Sequence, residues 1–205
     1  MSIHETRSRQ IVATIAGIKA VLACGADIEN LNKAKALLME LSDRIELFPH
    51  ADFPIPDAEQ GYRVFRLHQD DGGEFALYLV TVCKGATDAP HNHGNSWAIV
   101  SAVDGKEHHH LYKRIDDGKT PGASHLEQAG DLIVERGTAL SMLVDGIHSM
   151  EGAGDEPCRH LHLYGYGFEY QKGRKEFNLE QGTYVHSHDD VGFIEDFPLH
   201  PAAQS

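Results

Sequence analysis

Apolar residues in the first fifty positions recur at intervals of three and four. Ile11, Ile15, Ile18 and Leu22 line one face of a helix expected over Ser8–Leu22, and Gly25 closes it. Asp27 is placed to cap a second helix, whose stripe is Ile28, Leu31, Ala34, Leu38, Leu41, Ile45 and Phe48. Such one-sided stripes need an apolar surface to cover. The segment PHADFPIPDA follows, and its Pro49, Pro54 and Pro56 end the helical region.

From Tyr62 the period changes to two. YRVFRLHQ, EFALYLVTV, WAIVSAV, HHLYKRI, DLIVE, ALSMLV and RHLHLYGY read as strands, separated by the turn-rich DDGG, KGATDAP, DGK, DDGKTPG and GAGDEP. Seven or more short strands without intervening helices predict a sandwich or barrel, not a wound α/β sheet. The polar stretch 171–205 is expected to form late hairpins and wrapping loops. No second domain boundary is visible. The expected organisation is one domain over 1–205, with helices over about 8–48 and a barrel over about 60–170.

Composition narrows the function. Among 205 residues, 31 acidic side chains face 18 Lys+Arg, a formal charge of -13. A field of that sign repels phosphate backbones and acidic membrane surfaces, so neither nucleic acid nor membrane is an expected partner. No apolar run is long enough to span a bilayer, and MSIHETRSRQ lacks the order of a signal peptide. Cys24, Cys83 and Cys158 are too few and scattered for a disulfide framework, which points to a reducing, cytoplasmic setting. Monomer and homodimer are both compatible with the sequence.

The 15 histidines change the picture most. In an extended segment, His91 and His93 of HNH point to one face and can share a metal ion. His148, His160 and His162 are candidates for a third ligand; the plain alternative is polar residues at a strand end. Gly85, five intervening residues, His91-Asn92-His93, and Gly105 twelve positions beyond His93 resemble the first motif of the cupins. His148 in VDGIHSM resembles the histidine of the second motif, although Leu143 stands where a proline is usual. The resemblance implies an all-β, cupin-type β-barrel (jelly roll) with two N-terminal α-helices.

The usual glutamate of the first motif falls on Ala98. A three-histidine site without it resembles the thiol dioxygenase branch, the cysteine dioxygenase-like enzymes, and the likeness spans roughly residues 27–168. It implies one Fe(II) per chain on His91, His93 and His148, and conversion of a small carboxylate-bearing thiol with O2 to its sulfinic acid. The family's late-strand row, ordinarily Ser-x-His-x-Tyr, is here His160-x-His162-x-Tyr164. Tyr164 is expected to offer its hydroxyl to the reacting groups, with His162 orienting it and His160 behind; His160 can also be a satisfied core histidine. The cysteine that some members cross-link to the tyrosine corresponds to Ala98, which leaves the chain closer to bacterial enzymes of the 3-mercaptopropionate type. 3-Mercaptopropionate, mercaptosuccinate and cysteine stay open as substrates.

The family's carboxylate-binding arginine corresponds to Val64. Arg66, two residues on, is the expected replacement, against a surface ion pair; its removal would then raise KM tenfold or more, roughly 1.4 kcal/mol. Trp97 is expected to line the pocket or to pack beneath the metal strand. His108-His109-His110 lacks identifiable partners for a second metal, and His186-Ser187-His188 reads as a surface loop. Two other functions remain open: a cupin oxygenase or hydrolase on a non-sulfur substrate, and a metal-dependent binding or sensor protein without turnover.

Overall fold

The computed structural model describes residues 2–187 and 194–203, so His188 lies outside the described residues. Helix α1 spans Ile3–Leu22 and begins earlier than the stripe predicts, because the Ser2 hydroxyl accepts from the Glu5 N–H at 3.2 Å. Helix α2 spans Ile28–Ser42, and Asp27 caps it by accepting from the Asn30 N–H at 2.8 Å. The end of the second stripe leaves the helix: Ile45 opens a short 3-10 turn, and Phe48 is fully buried beyond it.

Eleven strands follow among the described residues. They are β1 (Tyr62–His68), β2 (Glu74–Val82), β3 (Ala98–Asp104), β4 (Lys106–Arg114), β5 (Leu126–Glu135), β6 (Ala139–Met142), β7 (Ile147–Ala153), β8 (Cys158–Tyr166), β9 (Lys175–Asn178), β10 (Thr183–His186) and β11 (Ile194–Asp196). They form a six-stranded sheet of order β11-β1-β2-β8-β3-β6, a three-stranded sheet β5-β4-β7, and the hairpin β9-β10. The expected closed jelly-roll barrel is therefore corrected. Among the described residues neither larger sheet closes on itself, and the domain is a sandwich of open sheets behind two helices. Between β3 and β8 the chain changes layer at β3–β4, β5–β6, β6–β7 and β7–β8 instead of continuing one ring of hydrogen bonds. An alternating pattern fits the inner face of a sandwich as well as that of a barrel.

Two cores follow from the alternation. Phe65, Leu67, Leu77, Leu79, Ile99, Leu161 and Leu163 face the helices and meet Ile11, Ile15, Leu31 and Leu38. Each buried leucine there contributes about 2 kcal/mol. On the opposite face, Val64, Ala76, Val80, Ala98 and Val100 meet Val134 and Leu132 of β5. Arg159 of β8 points to the helix side, where it is buried and pairs with Asp104 and the Phe48 carbonyl. His160, His162 and Tyr164 alternate to the other face, between the sheets.

Candidate metal centre

Two backbone hydrogen bonds bring His91 beside His148. The His91 N–H donates to the His148 carbonyl at 2.8 Å, and the His148 N–H returns to His91 at 3.0 Å. Strand β7, which supplies His148, has no clear signal in the sequence, because IHSMEGA does not alternate cleanly. His93 completes the group, its Nε2 3.4 Å from His148 Nε2. All three rings are buried.

Their outer nitrogens fix the ring directions. His91 Nδ1 lies 2.9 Å from the Ala89 carbonyl, and His148 Nδ1 lies 3.0 Å from His109 Nδ1. In the tautomers where the Nδ1–H of each ligand donates outward, both Nε2 lone pairs turn inward. Burial lowers the His91 pKa to about 3 and holds His93 and His148 well below the ordinary histidine value. Neutral imidazoles within ligand distance are the donor set a divalent transition metal takes, so His91, His93 and His148 fit such an ion.

Behind His148 lies a second buried group. Glu107 and His109 of β4 and His160 of β8 bring three donor atoms within 4.8 Å of one another. Glu107 Oε2 is 3.0 Å from His109 Nε2, 3.1 Å from His160 Nδ1 and 3.9 Å from His162 Nε2. Burial alone would raise the Glu107 pKa, but His160 and His109 outweigh it and hold the carboxyl well below its usual range. His108 and His110 point outward and share Asp131, so the His108–His110 run divides between the two faces of β4.

His162 Nδ1 is 3.1 Å from the Tyr164 hydroxyl, and the Tyr164 ring sits 5.0 Å from that of His93. A cavity of about 140 Å³ opens here, lined among others by His91, Glu107, His162, Tyr164, Val64 and Arg174. Trp97 is not brought to it; the indole packs on the helix side, 6.0 Å from the Phe75 ring. Nor is Arg66. Its partner across β1–β11 is Asp196, and the guanidinium donates to Asp196 at 2.7 Å and Glu169 at 2.5 Å. His186 ends β10 and stacks edge-on against Tyr184, apart from the metal group.

Arg174, absent from the sequence expectations, is the cation at this cavity. HNHGN itself places it. The Asn92 carboxamide oxygen accepts from the Lys175 N–H at 2.8 Å, and that of Asn95 accepts from the Lys172 N–H at 2.7 Å. Gly94, at φ 59, lets the 172–174 backbone close in, since a Cβ there would lie 2.4 Å from the Lys172 carbonyl oxygen. The Arg174 Nε is buried without a hydrogen-bond partner. Gly94→Ala is therefore expected to cost about 2 kcal/mol of stability and to displace Arg174. A drop in Tm of several degrees, checked by calorimetry, would accompany weakened anion binding.

Asp88 also lines the cavity, accepting from the Met150 N–H at 2.6 Å. Burial raises its pKa to about 8. The folded state thus keeps a proton that the unfolded chain releases, and stability falls as pH rises from about 4 to about 8. In metal-free protein, Asp88→Asn should gain on the wild type across that window, by at least about 3 °C in Tm. A constant gap between the two melting curves would refute this.

No protein-family model and no curated protein matches the chain. Solved structures do resemble it in part. An oxalate oxidase in complex with glycolate aligns at 16% identity and TM-score 0.42, over 55% of each chain. The cupin domain of Schizosaccharomyces pombe Cnp3 aligns at 13% identity and 0.42, over 55% of this chain and 70% of that one. KdgF from Halomonas sp. aligns at 15% and 0.41, over 58% and 93%. This chain thus spans about half of the oxalate oxidase it matches, and at these values the likenesses assign it no activity. The described helices include none long and apolar enough to cross a membrane. The site itself supplies the conclusion that stands here: buried histidine and glutamate groups able to coordinate metal ions, beside a cavity of small-molecule size.

Proposed function

We propose that the chain is a metal-dependent oxidoreductase of cupin type, a thiol dioxygenase that converts a small carboxylate-bearing thiol to its sulfinic acid. The observation that carries this reading is the single cavity shared by His91, Tyr164 and Arg174. His91, His93 and His148 would hold Fe(II), which supplies the redox chemistry joining both atoms of O2 to the thiol sulfur. Three neutral ligands leave the ion cationic, which favours ionised sulfur.

The remaining work falls to the chain's own side chains. Arg174 offers its guanidinium to the substrate carboxylate, the part sequence reasoning gave to Arg66. Tyr164 presents a phenol that burial keeps protonated, and His162 orients it. Val64, Val80 and Phe168 supply apolar wall for a two- or three-carbon chain. A cavity this small excludes larger substrates.

The test is dioxygen uptake by Fe(II)-loaded protein with 3-mercaptopropionate, mercaptosuccinate, L-cysteine and cysteamine in parallel. Uptake with an acidic thiol and little with cysteamine is expected. No uptake from protein holding iron would overturn the reading and leave a non-sulfur oxygenase or a binding protein.

A further inference from the structure

We propose that Glu107, His109 and His160 bind a second divalent transition-metal ion, enclosed between the two sheets behind the His91, His93 and His148 group. The inference concerns different ligands from the proposed thiol chemistry and does not depend on its substrate.

Charge favours an ion here. Glu107 is fully buried, and its ion-pair partners are three imidazoles, those of His109, His160 and His162. An ionised carboxylate in a protein interior is costly unless it is paired and hydrogen-bonded, or bound to a metal.

The alignment of the side chains favours it too. Nine buried side-chain nitrogen or oxygen atoms among the described residues lack a hydrogen-bond partner, and six of them belong to Glu107, His109, His160 and His162. The distances are short, yet the rings and carboxylate are not oriented as donors and acceptors toward one another. Ligands bound at 2.0–2.2 Å to a common ion lie about 3.0–3.5 Å apart. The 3.0 and 3.1 Å separations from Glu107 Oε2 match that spacing.

The donor set selects the ion. Two imidazoles and one carboxylate suit Fe(II), Zn(II), Co(II) or Mn(II), and disfavour Ca(II) and Mg(II), which prefer oxygen donors. Glu107 and His162 reach the cavity wall, which gives an entry path. Because β4 and β8 belong to different sheets, the ion would clamp the sandwich.

The two centres are coupled. His109 Nδ1 and His148 Nδ1 share one contact of 3.0 Å, with the rings only 3° from parallel. A ligand of each group thus touches a ligand of the other, so an ion at one centre would fix the ring orientation at the other.

The experiment is metal stoichiometry by elemental analysis. Full-length protein is saturated anaerobically with Fe(II), or separately with Zn(II), and then desalted. Two equivalents per chain are expected for the wild type, one for Glu107→Gln and one for His91→Ala. One equivalent in the wild type, unchanged in Glu107→Gln, overturns the proposal. If Glu107→Gln loses both ions by unfolding, anomalous scattering at the iron edge from wild-type crystals decides. A second peak among Glu107, His109 and His160 supports the site, and a lone peak at His91, His93 and His148 overturns it. A protein that holds two ions but oxidises no thiol would retain this site and lose the proposed activity.

Discussion

Replacing Arg174 with alanine is expected to lower kcat/KM for 3-mercaptopropionate by about 100-fold, mostly through KM, a loss of about 2.7 kcal/mol. The effect is electrostatic. The Arg174 guanidinium faces the cavity, donates to Gln171 Oε1 at 3.3 Å, and keeps its buried Nε without a partner. Three carboxyl groups line the same cavity, Asp88, Glu107 and Glu176; burial keeps Asp88 largely protonated near neutral pH, and Glu107 is engaged by His109 and His160. A substrate carboxylate would supply the missing acceptor. Arg174→Lys should recover only part of the loss, because an ammonium cannot pair in two places at once. Cysteamine, which lacks the carboxylate, is the control, and its already low rate should barely change. Equal losses for both thiols would make Arg174 a structural residue. Arg66→Ala belongs in the same series; with its guanidinium engaged by Asp196 and Glu169 outside the cavity, it should leave KM within about twofold.

The contrast between the two arginines shows what the sequence could carry. Along β8, strict alternation makes RHLHLYGY readable: Leu161 and Leu163 mark the helix-facing side, so His160, His162 and Tyr164 must share the other. Arg66 shares a face with Val64 by the same rule. Parity fixes a face, however, and not the direction of a long side chain, and Asp196 lies 130 residues away in sequence. Arg174 had no local signal. Its position depends on Asn92, Gly94 and Asn95 receiving a loop from the tail, a contact that no period announces.

Glu107 and His109 were legible in principle. They share the parity of Leu111 on β4, whereas His108 and His110 share the other, and the DGK turn sets the start of that strand. Three histidines in a row hide this, because a run carries no alternation of its own. The closed barrel failed for a related reason. Period two reports which side of a sheet is buried, and it is silent on whether the two edge strands of that sheet bond to each other.

Tyr164→Phe is expected to reduce kcat by about 100-fold or more while leaving metal content unchanged. The hydroxyl is not among the metal-ligating atoms, so its loss should not weaken the ion. Its 3.1 Å contact with His162 Nδ1 gives it direction. In the tautomer where the His162 Nδ1–H donates to the phenol oxygen, the phenol proton turns toward the cavity. Burial sets the His162 pKa at about 3, so the ring stays neutral at working pH. Burial also raises the Tyr164 pKa above the ordinary value, so the phenol remains a donor well into the alkaline range. A hydroxyl that donates to a charge developing in the transition state affects kcat; one that only fills space affects stability. The measurements are therefore kcat, KM and iron content side by side, with Tm as the structural control. A kcat within threefold of wild type would remove Tyr164 from the chemistry. A large loss of kcat at constant iron and constant Tm would place the hydroxyl at the reacting atoms, because no packing effect of one oxygen atom produces that combination.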